Sequence, residues 1–426
     1  MTVSGLQLRR RWLVLLAGAV LLLTVLWFTA PGAADLPPDA TTGIGASIFR
    51  SVAEVPSAER VVTRSVPGAE RPHGEDEVEV CGLGWVQAQA DGTVDPKLLQ
   101  QGSRANEARA RIVASLGADK SELSRAAALW LSMIDAGADA DQVRDALAQA
   151  VVSSTDPQAY ALAFNVCRSS RPSQGACQML SASQWARLDP GNATPWLTLL
   201  SEAKARKDRA AEDEALYRIG TAQRSELGFF AAPGLAANAA ASDDLSVLAA
   251  WSVAVEMIGY ASAWSVPGYQ HVVTACKGGA LNDTNRRQTC SAIADVLTDR
   301  SDSFIDRMMG VAIGKQLGRP AERREWQSDE YAAYIESFGA SSVGRQSLAC
   351  ADLRRGLDHF RRNAALGEIG ALREWVVQSG KKSEDFARDA KARQAQQALD
   401  HARSQAASAA GEAAPAPRSS SATGPP

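Results

Sequence analysis

Between positions 103 and 409 apolar residues recur at three- and four-residue steps, the period of helices with one buried face. Ser103–Leu116, Ser121–Asp135 and Asp139–Ser153 each join a capping residue to an Ala/Leu face, with Gly117, Asp119 and Gly137 between them. Asp156–Arg168 and Gln174–Leu188 form one helical hairpin, and Thr194–Gly220 forms a second, broken at Lys207-Asp208. Ala231-Ala232-Pro233-Gly234 interrupts a short helix, and Asp243–Tyr260 restarts with Trp251, Val255 and Ile258 on one stripe. A helix starting near Pro267 ends around Cys276, and Asn282-Asp283-Thr284 caps another that runs through Cys290 to Leu297. Asp302–Leu317, Pro320–Phe338, Ser342–Leu366, Gly367–Ser379 and Ser383–Ala409 complete the series. Only Glu75–Cys81 alternates charged and apolar residues, as a short extended piece does, and Gly82 and Gly84 end it. The pattern predicts an all-α fold, an irregular right-handed array of helical hairpins over residues 75–410.

The turn Leu188-Asp189-Pro190-Gly191-Asn192-Ala193-Thr194-Pro195-Trp196 organises the array. Pro190 holds Asp189 out of the α region, Gly191 and Asn192 tolerate left-handed backbone, and Thr194 can cap a helix whose first residue is Pro195. Trp196, Leu199, Leu200 and Ala203 then share a face, and Leu216 and Ile219 resume the stripe on the next helix. Over residues 185–220 this resembles a tetratricopeptide repeat, a helix–turn–helix unit of about 34 residues. Trp196 matches the early large position, Leu199 the Leu that follows it, Leu216 the large position of the second helix, and Pro190 the Pro closing the preceding unit. Glu212 stands where that family has a small residue, and the Gly and Tyr of its first helix are absent. The resemblance implies a TPR-like, α-solenoid-like architecture and no particular ligand.

Trp12–Ala34 carries no charged residue, follows Arg9-Arg10-Arg11, and has Trp12 and Trp27 near its ends. Such a run can cross ~30 Å of hydrocarbon with its basic side in the cytoplasm. Gly32-Ala33-Ala34 also offers a signal-peptide cleavage site, but the length of the run and Trp27-Phe28 favour an uncleaved signal-anchor. The order expected is a cytoplasmic tip (1–11), a transmembrane helix (12–34), a Pro/Ala/Gly/Ser-rich linker (35–74), an extracytoplasmic helical domain (75–410) and a disordered Ala/Pro/Ser tail (411–426). This places a single-pass protein in the inner membrane with its bulk in the periplasm.

The six cysteines fit an exported domain. Cys167 and Cys177 flank one predicted helix–helix turn and Cys276 and Cys290 another, so each pair would staple a hairpin, worth about 3 kcal/mol apiece. That leaves Cys81 and Cys350 to tie the start of the domain to its end. A zinc site would need closer cysteines and nearby histidines.

Of 426 residues 46% are apolar, enough for a packed core, and their Ala-rich, Phe- and Tyr-poor character suits close-packed helices. The net charge of −3 argues against nucleic acid. Most of the ten Trp stand beside Leu or Val on helix faces (Trp130, Trp185, Trp196, Trp251, Trp264, Trp326, Trp375), which is where core packing puts them.

His73, His271, His359 and His401 are too scattered for a metal site, and no cofactor motif is present. Gly310–Gln316 lacks the length and the hydroxyl of a phosphate loop. One candidate catalytic residue remains. Tyr334-Ile335-Glu336-Ser337-Phe338-Gly339 resembles the Glu-Ser signature of lytic transglycosylases, which implies Glu336 as acid and then base, although the family's following Asn-Pro is missing. The main expectation is a non-enzymatic scaffold that binds an envelope protein or peptide. The alternative is a cell-wall enzyme acting through Glu336.

Overall fold

Helix after helix starts where a short side chain takes a free backbone N–H. Ser121, Ser181, Asp208, Asp283 and Ser303 accept from the N–H groups of Ser124, Gln184, Ala211, Arg286 and Asp306 at 2.9–3.4 Å. The computed structural model describes residues 74–412, apart from positions 75, 90–93, 96, 100–103, 135, 137–138, 169–174, 243–244, 262–267, 321–328 and 338–347. The expected tip, membrane segment, linker as far as residue 73 and tail from residue 413 lie outside the described residues. No described helix is long and apolar enough to cross a membrane.

The described chain is mostly helical, in line with the all-α expectation. The piece expected to be extended is a hairpin, β1 (Glu77–Val80) antiparallel to β2 (Gly84–Gln87), with Gly82 and Gly84 at positive φ in the turn. Helices α1 (Ala105–Ala118), α2 (Glu122–Ser132), α3 (Ala140–Val151), α4 (Pro157–Arg168) and α5 (Ala182–Leu188) follow. Next come α6 (Ala193–Arg206), α7 (Arg209–Thr221), α8 (Ala231–Ser242), α9 (Val247–Ala261), α10 (Tyr269–Ala275), α11 (Thr284–Asp299) and α12 (Phe304–Gln316). Residues 329–337 form α13, and α14 (Cys350–Ser379) and α15 (Ser383–Glu412) end the described chain.

Three clusters of buried side chains hold these elements. The first joins the hairpin and α1–α5 to α8, α9 and the first half of α14, with Ile112, Leu131, Tyr160, Trp185, Met257 and Phe360 inside. Trp251 stacks on Phe360 with centroids 5.4 Å apart. In the second, α6, α7 and α10–α12 enclose Leu197, Leu200, Ile219, Cys276, Cys290 and Ile293. The third, Phe304, Ala333, Ile369, Leu372 and Phe386, binds the start of α12 to α13, the second half of α14 and α15. The chain therefore returns on itself: α14, late in sequence, packs on α8 and α9. All six cysteines are bridged, Cys167–Cys177, Cys276–Cys290 and Cys81–Cys350, as the sequence suggested.

Several local expectations shift. Gln174–Leu188 is not one helix but a 3₁₀ turn (Gly175–Met179) followed by α5. Pro233-Gly234 does not interrupt a helix. It lies in the first turn of α8, where a missing N–H costs nothing and a bare glycine lets α14 approach. A Cβ on Gly234 would stand 2.1 Å from that of Ala364. The break expected at Leu366-Gly367 is a kink inside α14, with Gly367 at φ 70°. In α6 the buried stripe runs through Leu197, Leu200 and Ala203, while Trp196 and Leu199 are half-buried.

The cap of α6 is Asn192 rather than Thr194, because Asn192 has more to bind. Its Oδ1 accepts from the N–H groups of Thr194 (3.1 Å) and Glu226 (3.0 Å), and its Nδ2 donates to Asp189 Oδ2 (3.0 Å) and Glu226 O (3.1 Å). The Thr194 hydroxyl donates instead to Glu226 O. Asn192→Ala removes the cap and strands buried polar groups, so it is expected to cost about 2 kcal/mol in urea unfolding. A loss under about 0.5 kcal/mol would mean the network is dispensable.

Candidate functional site

Two polar features meet on the loop between α7 and α8, residues 222–228. The loop is fixed from one side by Asn192 and from the other by the α11–α12 turn: Ser225 N–H donates to Arg300 O (3.0 Å) and Asp302 N–H to Ser225 O (3.1 Å). Arg300 adds a hydrogen bond from Nη1 to Ala222 O.

The first feature is a small surface depression. Leu123, Leu162 and Trp185 give it an apolar wall, Gln158 and Asn165 line it with amides, and Glu226 stands in the loop side. Beside it Arg224 bridges Asp189 (2.5 Å) and Glu226 (2.8 Å). Burial draws the Arg224 pKa down, but the carboxylates of Glu226 and Asp189 outweigh this and raise it, so the cation is secure. Tyr160 of α4 ties that helix to the start of α5, accepting from Ser181 N–H at 2.9 Å. The depression combines apolar, amide and acidic parts within a few ångströms of one another.

The second feature is a buried acidic node. Asp306 is wholly buried, accepts from the hydroxyl of Tyr269, and hydrogen-bonds Ser301 Oγ at 3.0 Å. Glu368 accepts from Phe304 N–H (2.9 Å) and Tyr334 Oη (2.8 Å), so a side chain on α14 caps α12. Asp302 has one oxygen, Oδ1, shut away from solvent without a hydrogen bond. Burial pushes all three carboxyl groups up; Asp302, which also faces Asp306, Glu226 and Glu368, reaches about 8. Burial likewise keeps Tyr269 and Tyr334 protonated as donors.

Sequence reasoning missed this node. The sequence pattern makes Asp302 the first residue of a helix, but the cap of α12 is Ser303, and Asp302 lies in the turn before it. Asp306 and Glu368 look like ordinary helix acids, and what brings them together is contact across more than 60 residues.

Glu336, the catalytic candidate, lies on α13 with its carboxylate 2.7 Å from Arg393 of α15 and its side chain 38% exposed. It belongs neither to the depression nor to the node. Gly310–Gln316 is helical, and a Cβ on Gly310 would meet Thr298 Oγ1 at 2.4 Å, so close packing of α11 on α12 accounts for that glycine. Burial lowers the pKa of His271, and lowers that of His359 to about 4. His73 and the His401 side chain lie outside the described residues. Trp130, Trp185 and Trp251 are core residues, Trp196 and Trp375 are half-buried, and Trp264 and Trp326 are not among the described residues. Among the described residues no group of His, Cys, Asp and Glu is placed to hold a metal ion. Comparison with known proteins finds no matching family model, no matching curated protein and no matching solved structure.

Proposed function

We propose that this chain is a membrane-anchored, extracytoplasmic scaffold, built as an array of helical hairpins, that docks an envelope protein or peptide. The depression between α2, α4, α5 and the loop 222–228 is the observation that carries the reading. It sets an apolar wall beside Gln158, Asn165 and Glu226, whose oxygens can answer the peptide N–H groups or a basic residue of a partner laid across it. The surroundings are stiff, held by the Asn192 network and the Cys167–Cys177 bridge, so little order is lost on binding. Three disulfides favour an oxidising compartment, and the apolar run at 12–34 favours an anchor.

Affinity purification of the tagged full-length protein from gently solubilised membranes, followed by mass spectrometry, tests this. A stoichiometric envelope partner is expected, with recovery falling roughly tenfold when Gln158→Arg and Asn165→Arg fill the depression. Glu336→Gln is expected to leave recovery unchanged. Absence of a partner, or full recovery with the depression filled, would overturn the proposal.

A further inference from the structure

Asp302 joins three segments distant in sequence. Its N–H donates to Ser225 O, and its carboxylate takes the Leu227 N–H, both in the loop 222–228. Its carbonyl accepts from Ile369 N–H (3.3 Å), just past the kink of α14. At that kink Gly367 is pressed so close that a Cβ would lie 2.5 Å from Asp302 Cβ. Next to it Glu368 caps α12 through Phe304 N–H. The groups facing Asp302 are Asp306 from α12, Glu226 from the loop and Glu368 from α14; around Asp306 and Glu368 stand Tyr269 from α10 and Tyr334 from α13. The nearby cations are directed elsewhere: Arg224 holds Asp189 and Glu226, and Arg300 points Nη1 at Ala222 O. A negative charge on Asp302 would meet three other carboxyl groups and burial, which together outweigh the Leu227 N–H, and its enclosed Oδ1 has no donor.

We propose that Asp302 is a proton-operated latch: protonated, it holds the loop 222–228 against the kink of α14, and on losing its proton it releases both. The sign follows from the two end states. Burial first, then Asp306, Glu226 and Glu368, raise Asp302 to about 8 in the closed junction, while the ordinary value is 3.8. Between those values the closed state keeps a proton that the open state gives up. Closure therefore weakens as pH rises from about 4 to about 8 and changes no further above that. Within the window the open population grows by up to about tenfold per pH unit.

Hydrogen–deuterium exchange of the full-length protein from pH 5 to 9, corrected for intrinsic exchange, tests the latch. Protection of peptides covering 222–228 and 366–372 is expected to fall together with rising pH and level off near pH 8, while the centre of the second core stays protected. Asp302→Asn keeps the shape without the titration and is expected to flatten the dependence. Glu226→Gln removes one facing charge and is expected to move the levelling point to lower pH, which keeps the test decisive if Asp302→Asn does not fold. Flat protection in the native protein, uniform loss across all cores, or a curve unmoved by both substitutions would overturn the proposal. None of these readouts depends on a bound partner, so the latch and the docking reading stand or fall separately.

Discussion

Replacing Cys81 and Cys350 by serine is expected to lower the unfolding free energy by about 5 kcal/mol, more than loss of either other bridge. This bond spans 269 residues, against 10 for Cys167–Cys177 and 14 for Cys276–Cys290. The entropy that a cross-link removes from the unfolded chain grows with the logarithm of the loop, and the short bridges are worth about 3 kcal/mol each. Natively, Cys81 N–H donates to Leu348 O at 2.8 Å and Val80 is fully buried, so the bridge secures a docked β-hairpin. Urea denaturation of the Cys81→Ser/Cys350→Ser protein, set beside Cys167→Ser/Cys177→Ser, gives the order. A smaller loss for the long loop would mean that the ends stay together in the unfolded chain without the bond.

Arg307→Met is expected to cost about 3–5 kcal/mol, and restoring neutrality with Glu330→Met should return most of it. Arg307 is 3% exposed and Glu330 5%, their side chains are in direct contact, and Arg307 Nε also donates to Thr298 O at 3.0 Å. Removing the cation leaves a carboxylate buried between α12 and α13 without its partner, whereas removing both leaves apolar surface of similar volume. Thermal or chemical unfolding of the two single variants and the double variant closes the cycle. A double variant as unstable as the sum of the singles would show that the two charges are not coupled.

Short-range features were legible in the sequence. The helices, the extended piece before Cys81, the break at Gly367 and the two stapled turns each follow from residues that touch their near neighbours. Caps were less legible, because the choice between Asn192 and Thr194 depends on Glu226, which lies 34 residues away. The face of α6 was read half a step out for a similar reason: Trp196 is half-exposed, and Arg218 of α7 lies over its ring. The depression was invisible, since its lining comes from four separate segments and none of those residues is unusual alone. The acidic node shows the same limit more strongly, because charged residues at helix starts are common and burial is what makes these three exceptional.

The Cys81–Cys350 bond also sets how the protein would bear mechanical load. Tension applied between the residues before Cys81 and the helices after Cys350 passes directly from one sulfur to the other. The chain between them, a sequence separation of 269 and about 900 Å if drawn straight, is bypassed and cannot be paid out. After Cys350, α14 and α15 would lengthen under force, whereas the elements between the two cysteines would not until the bond is reduced. In a single-molecule pull from the two termini, the segment from Cys81 to Cys350 would give no extension with the bridge intact and a long one after reductant is added.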